Sequence, residues 1–132
     1  MTRPLPRIDA WARPYWDAAH DGRLLIQRCE TCGRHVFYPR LECPHCGSHP
    51  LAWVEATGRG TIYSFSVVRS YAPSPFADLV PFVIAIVELE EGVRMMANII
   101  DCDLDRLRCD LPVAVTFETI TEEVTLPQFR PA

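Results

Sequence analysis

The sequence of 132 residues contains no lysine; all 13 basic residues are arginine. Arginine-rich codon usage explains this most simply, although the planar guanidinium also suits bidentate contacts to phosphate or carboxylate. No apolar run approaches the roughly 20 residues that cross a bilayer, so no membrane span is expected. The first nine residues hold Arg3 and Arg7 without an apolar stretch. They do not read as a secretory signal, and a cytoplasmic location is the expectation. A nucleophile elbow, a phosphate-cradling glycine loop, a dinucleotide fingerprint and a metal-hydrolase motif are all missing from the sequence. His20 beside Asp21 reads as a solvated helix end, and Ser64, Ser66 and Ser74 have no evident base. These absences point to a chain that does not perform chemistry alone.

What is present suits a small globular protein of one domain with a small appendage. The apolar fraction is 48%, and a chain this long buries about two-thirds of its unfolded surface. Charge is uneven. Residues 1–50 carry a net +2 and residues 51–132 a net −6. An acidic second part opposes binding to a phosphate backbone, which is dominated by charge neutralisation.

Of six cysteines, four fall in two knuckles, Cys29-Glu30-Thr31-Cys32-Gly33 and Cys43-Pro44-His45-Cys46-Gly47. Paired Cys-x-x-Cys knuckles are a zinc-ribbon pattern. Two residues between thiolates let a tight turn aim both sulfurs at one point. The glycine after each knuckle suits a positive φ. Zinc takes four thiolates tetrahedrally, and two knuckles fill every position, so the metal is expected to be structural rather than catalytic. Iron suits the same ligand set, and the choice of metal stays open at this point. His35, His45 and His49 lie nearby, but four cysteines already close the site. Cytosolic thiols stay reduced, which argues against disulfides. Cys102 and Cys109 read as ordinary small side chains. The stretch from Leu24 to Leu51 has too few apolar residues to fold without the metal, whose binding energy is folding energy.

Along the rest of the chain, Met1 to Ala12 reads as an extended arm. A short helix is predicted from Pro14 to Gly22, with proline in its first turn and glycine at its stop. Leu24 to Gln27 reads as a strand leading into the first knuckle. Beyond the ribbon, Leu51–Ala56 and Thr61–Arg69 read as strands joined by the turn Thr57-Gly58-Arg59-Gly60. Phe82–Leu89 is a continuous apolar run, expected to be buried on both faces. After a turn at Glu90-Glu91-Gly92, Val93–Ile100 returns as its hairpin partner. Val113–Ile120 and Val124–Phe129 are further strands, with Pro127 and Pro131 suiting an edge or tail. Five or six short strands suit a small barrel or sandwich. Ser70–Pro81, with three prolines plus Tyr71 and Phe76, reads as a packed lid or a contact surface.

These pieces together resemble the acyl-CoA-associated OB-fold proteins with an N-terminal rubredoxin-like zinc ribbon. The resemblance is carried by Tyr15-Trp16, Gly22-Arg23-Leu24, Gln27-Arg28-Cys29, Tyr38-Pro39-Arg40 and the two knuckles. In the second part it is carried by the segments 58–65, 81–83 and 87–94 and by Pro112-Val113-x-Val115-x-Phe117. It covers nearly the whole chain. It implies a mainly β fold: an N-terminal arm with a short helix (1–23), a zinc ribbon (24–51) and a five-stranded OB barrel (52–132). It implies that Cys29, Cys32, Cys43 and Cys46 hold a structural Zn2+. It further implies a non-catalytic companion subunit of a thiolase-like enzyme, acting with acyl-CoA through the complex.

Trp11, Tyr15 and Trp16 read as packing onto the ribbon or barrel, with docking onto a partner as the alternative; with Tyr71 and Phe76 they are the candidate partner contacts, because tryptophan and tyrosine are enriched in interface hot spots. Two other classes of function compete. An OB barrel can bind single-stranded nucleic acid by stacking, for which Tyr63 and Phe65 offer rings, but the acidic barrel opposes it. A free-standing acyl-CoA binder would use Arg59 and Arg69 for CoA phosphates.

Overall fold

A computed structural model describes residues 4–132; the start of the expected arm, residues 1–3, lies outside the described residues. The chain opens with a 3-10 turn over Ala10–Ala12 that runs into helix α1, Arg13–His20. Pro14 occupies the first turn, where its missing N–H is one that no helix bond would use. The helix closes with two reversed bonds, from Gly22 N–H to Ala18's neighbour Ala19 at 3.0 Å and from Arg23 N–H to Ala18 at 2.9 Å. That pattern satisfies carbonyls the helix would otherwise leave bare.

Strands β1 (Leu25–Cys29), β2 (His35–Val36) and β3 (Leu51–Glu55) form an antiparallel sheet in the order β2-β1-β3. The expected link between Leu51–Ala56 and the next strand is therefore not a hairpin. β3 instead pairs with β1 along its whole length, Leu25 opposite Glu55 through Cys29 opposite Leu51. Both strands lead to or from a knuckle, so closing the metal site brings them side by side.

Strands β4 (Arg59–Val68), β5 (Phe82–Leu89), β6 (Arg94–Ile99), β7 (Pro112–Thr119) and β8 (Thr125–Pro131) close a barrel in the order β4-β5-β6-β8-β7. The segment Phe82–Leu89 is not buried on both faces. Val83, Ala85, Val87 and Leu89 point inward while Phe82, Ile84, Ile86 and Glu88 are half-buried on the outside. A closed barrel has one inside, so strand pleating sends alternate residues out even when most are apolar.

Gly60 permits the tightest approach. A Cβ there would run into the Glu88 carbonyl oxygen. At Gly58 a side chain would meet Val115 at 2.5 Å. The Gly-Arg-Gly turn is thus set by close contact with neighbouring strands. The core centres on Phe129, Ile62, Val87 and Val113, and it also takes in Tyr15 from α1 and Leu24, Ile26 and Ala56 around the ribbon sheet. The helix, ribbon sheet and barrel therefore share one apolar interior.

The barrel closes through its thinnest pairing at one seam. β8 pairs with β7 over seven residues but meets β6 at a single bridge, Ile99 opposite Phe129. Pro127, predicted to suit an edge, sits where β8 has only β7 beside it, and it has no N–H to offer a ladder. The loop Ser70–Pro81 carries a 3-10 turn over Phe76–Leu79 and packs Phe76 against Phe82, centroids 6.3 Å apart.

Candidate metal centre and the aromatic face beside it

Each knuckle is a turn built by backbone bonds. Gly33 N–H donates to the Cys29 carbonyl at 2.8 Å, and Gly47 N–H donates to that of Cys43 at 2.9 Å. Gly33 and Gly47 have φ of 77° and 78°, the left-handed region expected for them. Backbone amides also point at sulfur: Cys32 N–H at Cys29 Sγ and His45 N–H at Cys43 Sγ, both 3.4 Å.

The two knuckles converge. Cys29 Sγ lies 3.6 Å from Cys46 Sγ and Cys32 Sγ lies 3.7 Å from Cys43 Sγ, and all four sulfurs fall within 4.8 Å of one another. These separations are far longer than a disulfide's ~2.05 Å. They match the ~3.8 Å edge of a tetrahedron with zinc–sulfur bonds of about 2.3 Å. The donor set is all thiol, which suits zinc or iron and disfavours hard cations. A tetrahedron with four protein ligands leaves no position for water or substrate. Such an ion would cross-link the ribbon and would supply no Lewis-acid or hydrolytic chemistry.

The thiols differ in ease of ionisation. Cys46 is brought down to about 6, first by the Ser48 hydroxyl and then by the Ser48 amide. Cys29 is lowered chiefly by the Cys32 amide. Cys32 is raised to about 11; the Arg34 amide favours its thiolate most strongly, but desolvation and the other three thiols together outweigh it. Four neighbouring thiolates repel one another, and a divalent cation removes that penalty as it displaces the protons.

Cys29 and Cys43 are buried with Val36 in a cluster of three, to which only Leu51 adds. This small cluster agrees with the expectation that the ribbon cannot hold itself together by apolar burial. A second clamp was not foreseen. The Gln27 side chain, only 3% exposed, donates from Nε2 to the Arg40 carbonyl at 2.9 Å and accepts from Arg40 N–H at 2.7 Å through Oε1. Gln27 thus ties the loop between the knuckles to β1. Sequence offers little signal for this, because an exposed and a buried glutamine look alike in a five-residue strand. Of the nearby histidines, His45 meets Arg34 through Nδ1 at 3.3 Å, which links the knuckles from outside.

The candidate contact aromatics separate. Trp11 and Tyr71 are exposed, and Trp16 and Phe76 are half-buried. Tyr15 is a core residue instead, 7% exposed, with its ring edge-on to Trp16 at 5.0 Å and near Phe37 at 5.7 Å. Its burial pushes the phenol pKa upward, and Tyr38 adds to the effect. The helix turns Tyr15 inward because Arg13 and Asp17, two positions to either side, lie on the other face. Trp11, Tyr15, Trp16 and Phe37 line a groove of about 350 Å³ that opens at the barrel seam between Met95–Met96 and Leu126–Pro127.

Arg59 and Arg69 do not meet. Arg59 starts β4 and is held by Glu90 at 3.0 and 3.3 Å, while Arg69 follows the other end of that strand. Tyr63 lies at a bulge in β4 with the Arg94 guanidinium 3.7 Å from its ring centroid. Phe65 packs against the core.

Comparison with known proteins agrees with this architecture. The family described as "ChsH2, rubredoxin-like zinc ribbon domain" matches residues 16–52, and "ChsH2, C-terminal OB-fold domain" matches residues 53–118. A probable enoyl-CoA hydratase alpha subunit of Thermomonospora curvata is 39% identical over 130 residues, 98% of this chain and 40% of that protein. The chain thus spans about two-fifths of that relative's length. A DUF35 domain-containing scaffold protein of Methanothermobacter thermautotrophicus is 38% identical over 73% of this chain and 72% of that one. Benzoylsuccinyl-CoA thiolase subunit BbsA of Geobacter metallireducens is 32% identical over 70% of this chain and 60% of that one. Among solved structures, a chain of "Ltp2-ChsH2(DUF35) aldolase" superposes with a TM-score of 0.85 at 38% identity, covering 96% of this chain and 98% of that chain. Among the described residues, no helix is long and apolar enough to cross a membrane.

Proposed function

Because this chain belongs to the ChsH2-type family that joins a rubredoxin-like zinc ribbon to an OB-fold, we propose that it is a non-catalytic subunit of a thiolase-like acyl-CoA enzyme complex. That complex is a thiolase, an acyltransferase or a retro-aldolase. The chain supports its assembly and borders the acyl-CoA entrance. One observation carries this reading: four cysteine sulfurs within 4.8 Å close a metal site completely, so the ion is a staple and not a reaction centre. In this reading Cys29, Cys32, Cys43 and Cys46 hold one Zn2+, and the cysteine and histidines of catalysis belong to the partner. Relatives named as a scaffold protein, a thiolase subunit and a hydratase subunit support a supporting role. The reduced thiols suit the cytoplasm.

The two competing readings have weaker footing. An acyl-CoA binder would use Arg59 and Arg69 together, yet they stand at opposite ends of a ten-residue strand and Glu90 engages Arg59. A single-strand binder would need free aromatic faces and a basic groove, whereas Arg94 covers Tyr63.

Co-expression with a thiolase-like protein from the same genome tests the proposal. We expect a stable hetero-oligomer with one zinc per copy of this chain, and thioester turnover only by the complex. Recovery of free monomer alone, or thioester turnover by this polypeptide unaided, would overturn it.

A further inference from the structure

We infer that the four-thiol site is also a reversible redox switch. Peroxide joins its cysteines in two disulfides that cross between the knuckles, Cys29–Cys46 and Cys32–Cys43, and the ribbon stays closed after the ion has gone. This rests on the metal reading proposed above and is independent of which enzyme the chain accompanies.

The four cysteines are not equivalent. Cys32 and Cys46 are exposed, whereas Cys29 and Cys43 are only 1 and 2% exposed. One sulfur of each knuckle therefore meets a water-borne oxidant, and the other is shielded from it. Each exposed sulfur has a shielded one of the opposite knuckle beside it: Cys46 with Cys29 at 3.6 Å, and Cys32 with Cys43 at 3.7 Å. A disulfide needs ~2.05 Å, so each pair has about 1.6 Å to close. A shielded thiol this near traps an oxidised neighbour before it goes on to the irreversible sulfinic acid.

The chemistry balances with hydrogen peroxide as the oxidant. The Cys46 thiolate attacks one peroxide oxygen; an S–O bond forms, the O–O bond breaks and hydroxide leaves. The Cys29 thiolate attacks that sulfenic sulfur, forming the S–S bond and expelling a second hydroxide. Two protons from solvent convert both hydroxides to water. The sulfur pair has lost two electrons and one peroxide has gained them. Cys32 and Cys43 repeat the sequence with a second peroxide. The thiolate is the metal-binding form of cysteine, so the bridged sulfurs no longer hold Zn2+. A dithiol reductant reverses both bridges by exchange and restores the four ligands.

Topology explains why the oxidised ribbon keeps its shape. Bridges within a knuckle would leave the two knuckles unjoined. Bridges across them tie positions 17 and 11 residues apart, as the ion does. The ribbon's own apolar cluster of Cys29, Cys43 and Val36 with Leu51 is too small to replace such a link. The Gln27–Arg40 clamp and the β1–β3 ladder already fix the base of the ribbon. Chelation takes the ion and leaves four free thiols, whereas oxidation takes the ion and supplies covalent links in its place.

The test treats the zinc-loaded full chain with about a tenfold excess of hydrogen peroxide. Zinc release is followed with a metallochromic dye, the bridges by mass spectrometry of unreduced peptides, and the ribbon by Trp53 fluorescence. Full release of the zinc is expected, with Cys29–Cys46 and Cys32–Cys43 bridges. Trp53 emission should stay near that of the loaded chain and apart from that of the chelated one. Dithiothreitol with added zinc should restore the starting state. A variant carrying Cys102→Ser and Cys109→Ser, which keeps the ribbon intact, should behave identically. Retained zinc, sulfinic or sulfonic acids in place of bridges, bridges within a knuckle or to Cys102 or Cys109, or an oxidised emission equal to the chelated one would each overturn the switch alone. A purified chain that takes up no zinc before oxidation would overturn the metal reading together with the switch.

Discussion

Replacing Gln27 with leucine isolates the contribution of one buried side chain to the ribbon. Gln27 makes two hydrogen bonds to the backbone of a single residue, Arg40, and is almost wholly buried. Leucine fills similar space without either polar atom. The change removes two bonds of about 1 kcal/mol each and leaves a backbone donor and acceptor facing apolar surface, at ~1–3 kcal/mol per abandoned buried group. Arg40 is itself exposed, so its backbone recovers part of that loss from water. A net destabilisation of about 2–4 kcal/mol follows. For a chain of this length, the melting temperature should drop by roughly 8–15 °C. The loop also ends at Cys43, so part of the loss should appear in the metal site, as at least tenfold easier zinc removal by a competing chelator. Gln27→Glu sharpens the test. Its carboxylate can still accept from Arg40 N–H but faces the Arg40 carbonyl with a second acceptor. Burial and that carbonyl raise the glutamate's folded pKa above its unfolded value. Relative to wild type, the variant is therefore least destabilised below the unfolded pKa of about 4.3 and loses stability as pH rises through the folded pKa. Urea unfolding of the zinc-loaded chain is the measurement. A Gln27→Leu variant within about 0.5 kcal/mol of wild type, with unchanged chelator competition, would show that this clamp contributes nothing.

Zinc removal should unfold the ribbon, whose own apolar cluster is three residues and Leu51; a shift in Trp53 fluorescence on chelation reports it, and an unchanged emission after verified zinc loss would contradict the ribbon's dependence on metal. Gly60→Ala should destabilise by about 2–4 kcal/mol, because its Cβ meets backbone rather than a movable side chain, whereas Gly92→Ala, with nothing within 4 Å, should cost about 1 kcal/mol through its positive φ alone. Phe129→Ala should cost about 3–5 kcal/mol, read by chemical denaturation, since Phe129 is fully buried where β6, β7 and β8 meet. Arg59 lowers the Glu90 pKa, its side-chain bond acting first and Thr57 next; that pair's stabilisation is present above the ordinary value of 4.5 and lost as pH falls through the folded pKa, so Glu90→Gln should show a shallower acid limb, and the difference should shrink at high salt.

The two knuckles declared the metal site before any fold was known, because the Cys-x-x-Cys spacing and the following glycine are consequences of one tight turn. Short range also made α1 and all five barrel strands legible: proline at the helix start, glycine past its end, and apolar runs between turns. What failed was pairing and facing. Leu51–Ala56 reads as a strand joined by a glycine turn to the next one, yet its pairing partner is β1, since proximity in sequence does not say which edge a strand will find. Ile84 and Ile86 look like core, and barrel closure puts them outside. Tyr15 suits either core packing or a partner contact, and the turn of an eight-residue helix puts it inside.

The sequence by itself determined which atoms bind the metal and that no open coordination position remains, because both follow from local turn geometry and ligand count. Only the tertiary structure decided that Gln27 grips the loop between the knuckles, that β6 and β8 part at Pro127, and that Trp11, Tyr38 and Met96 line one groove. Those three residues are separated by up to 85 positions. No periodicity in a chain encodes such a meeting; it arises when the helix, the ribbon and the barrel bury their apolar sides in a common core and leave what cannot fit there on the surface.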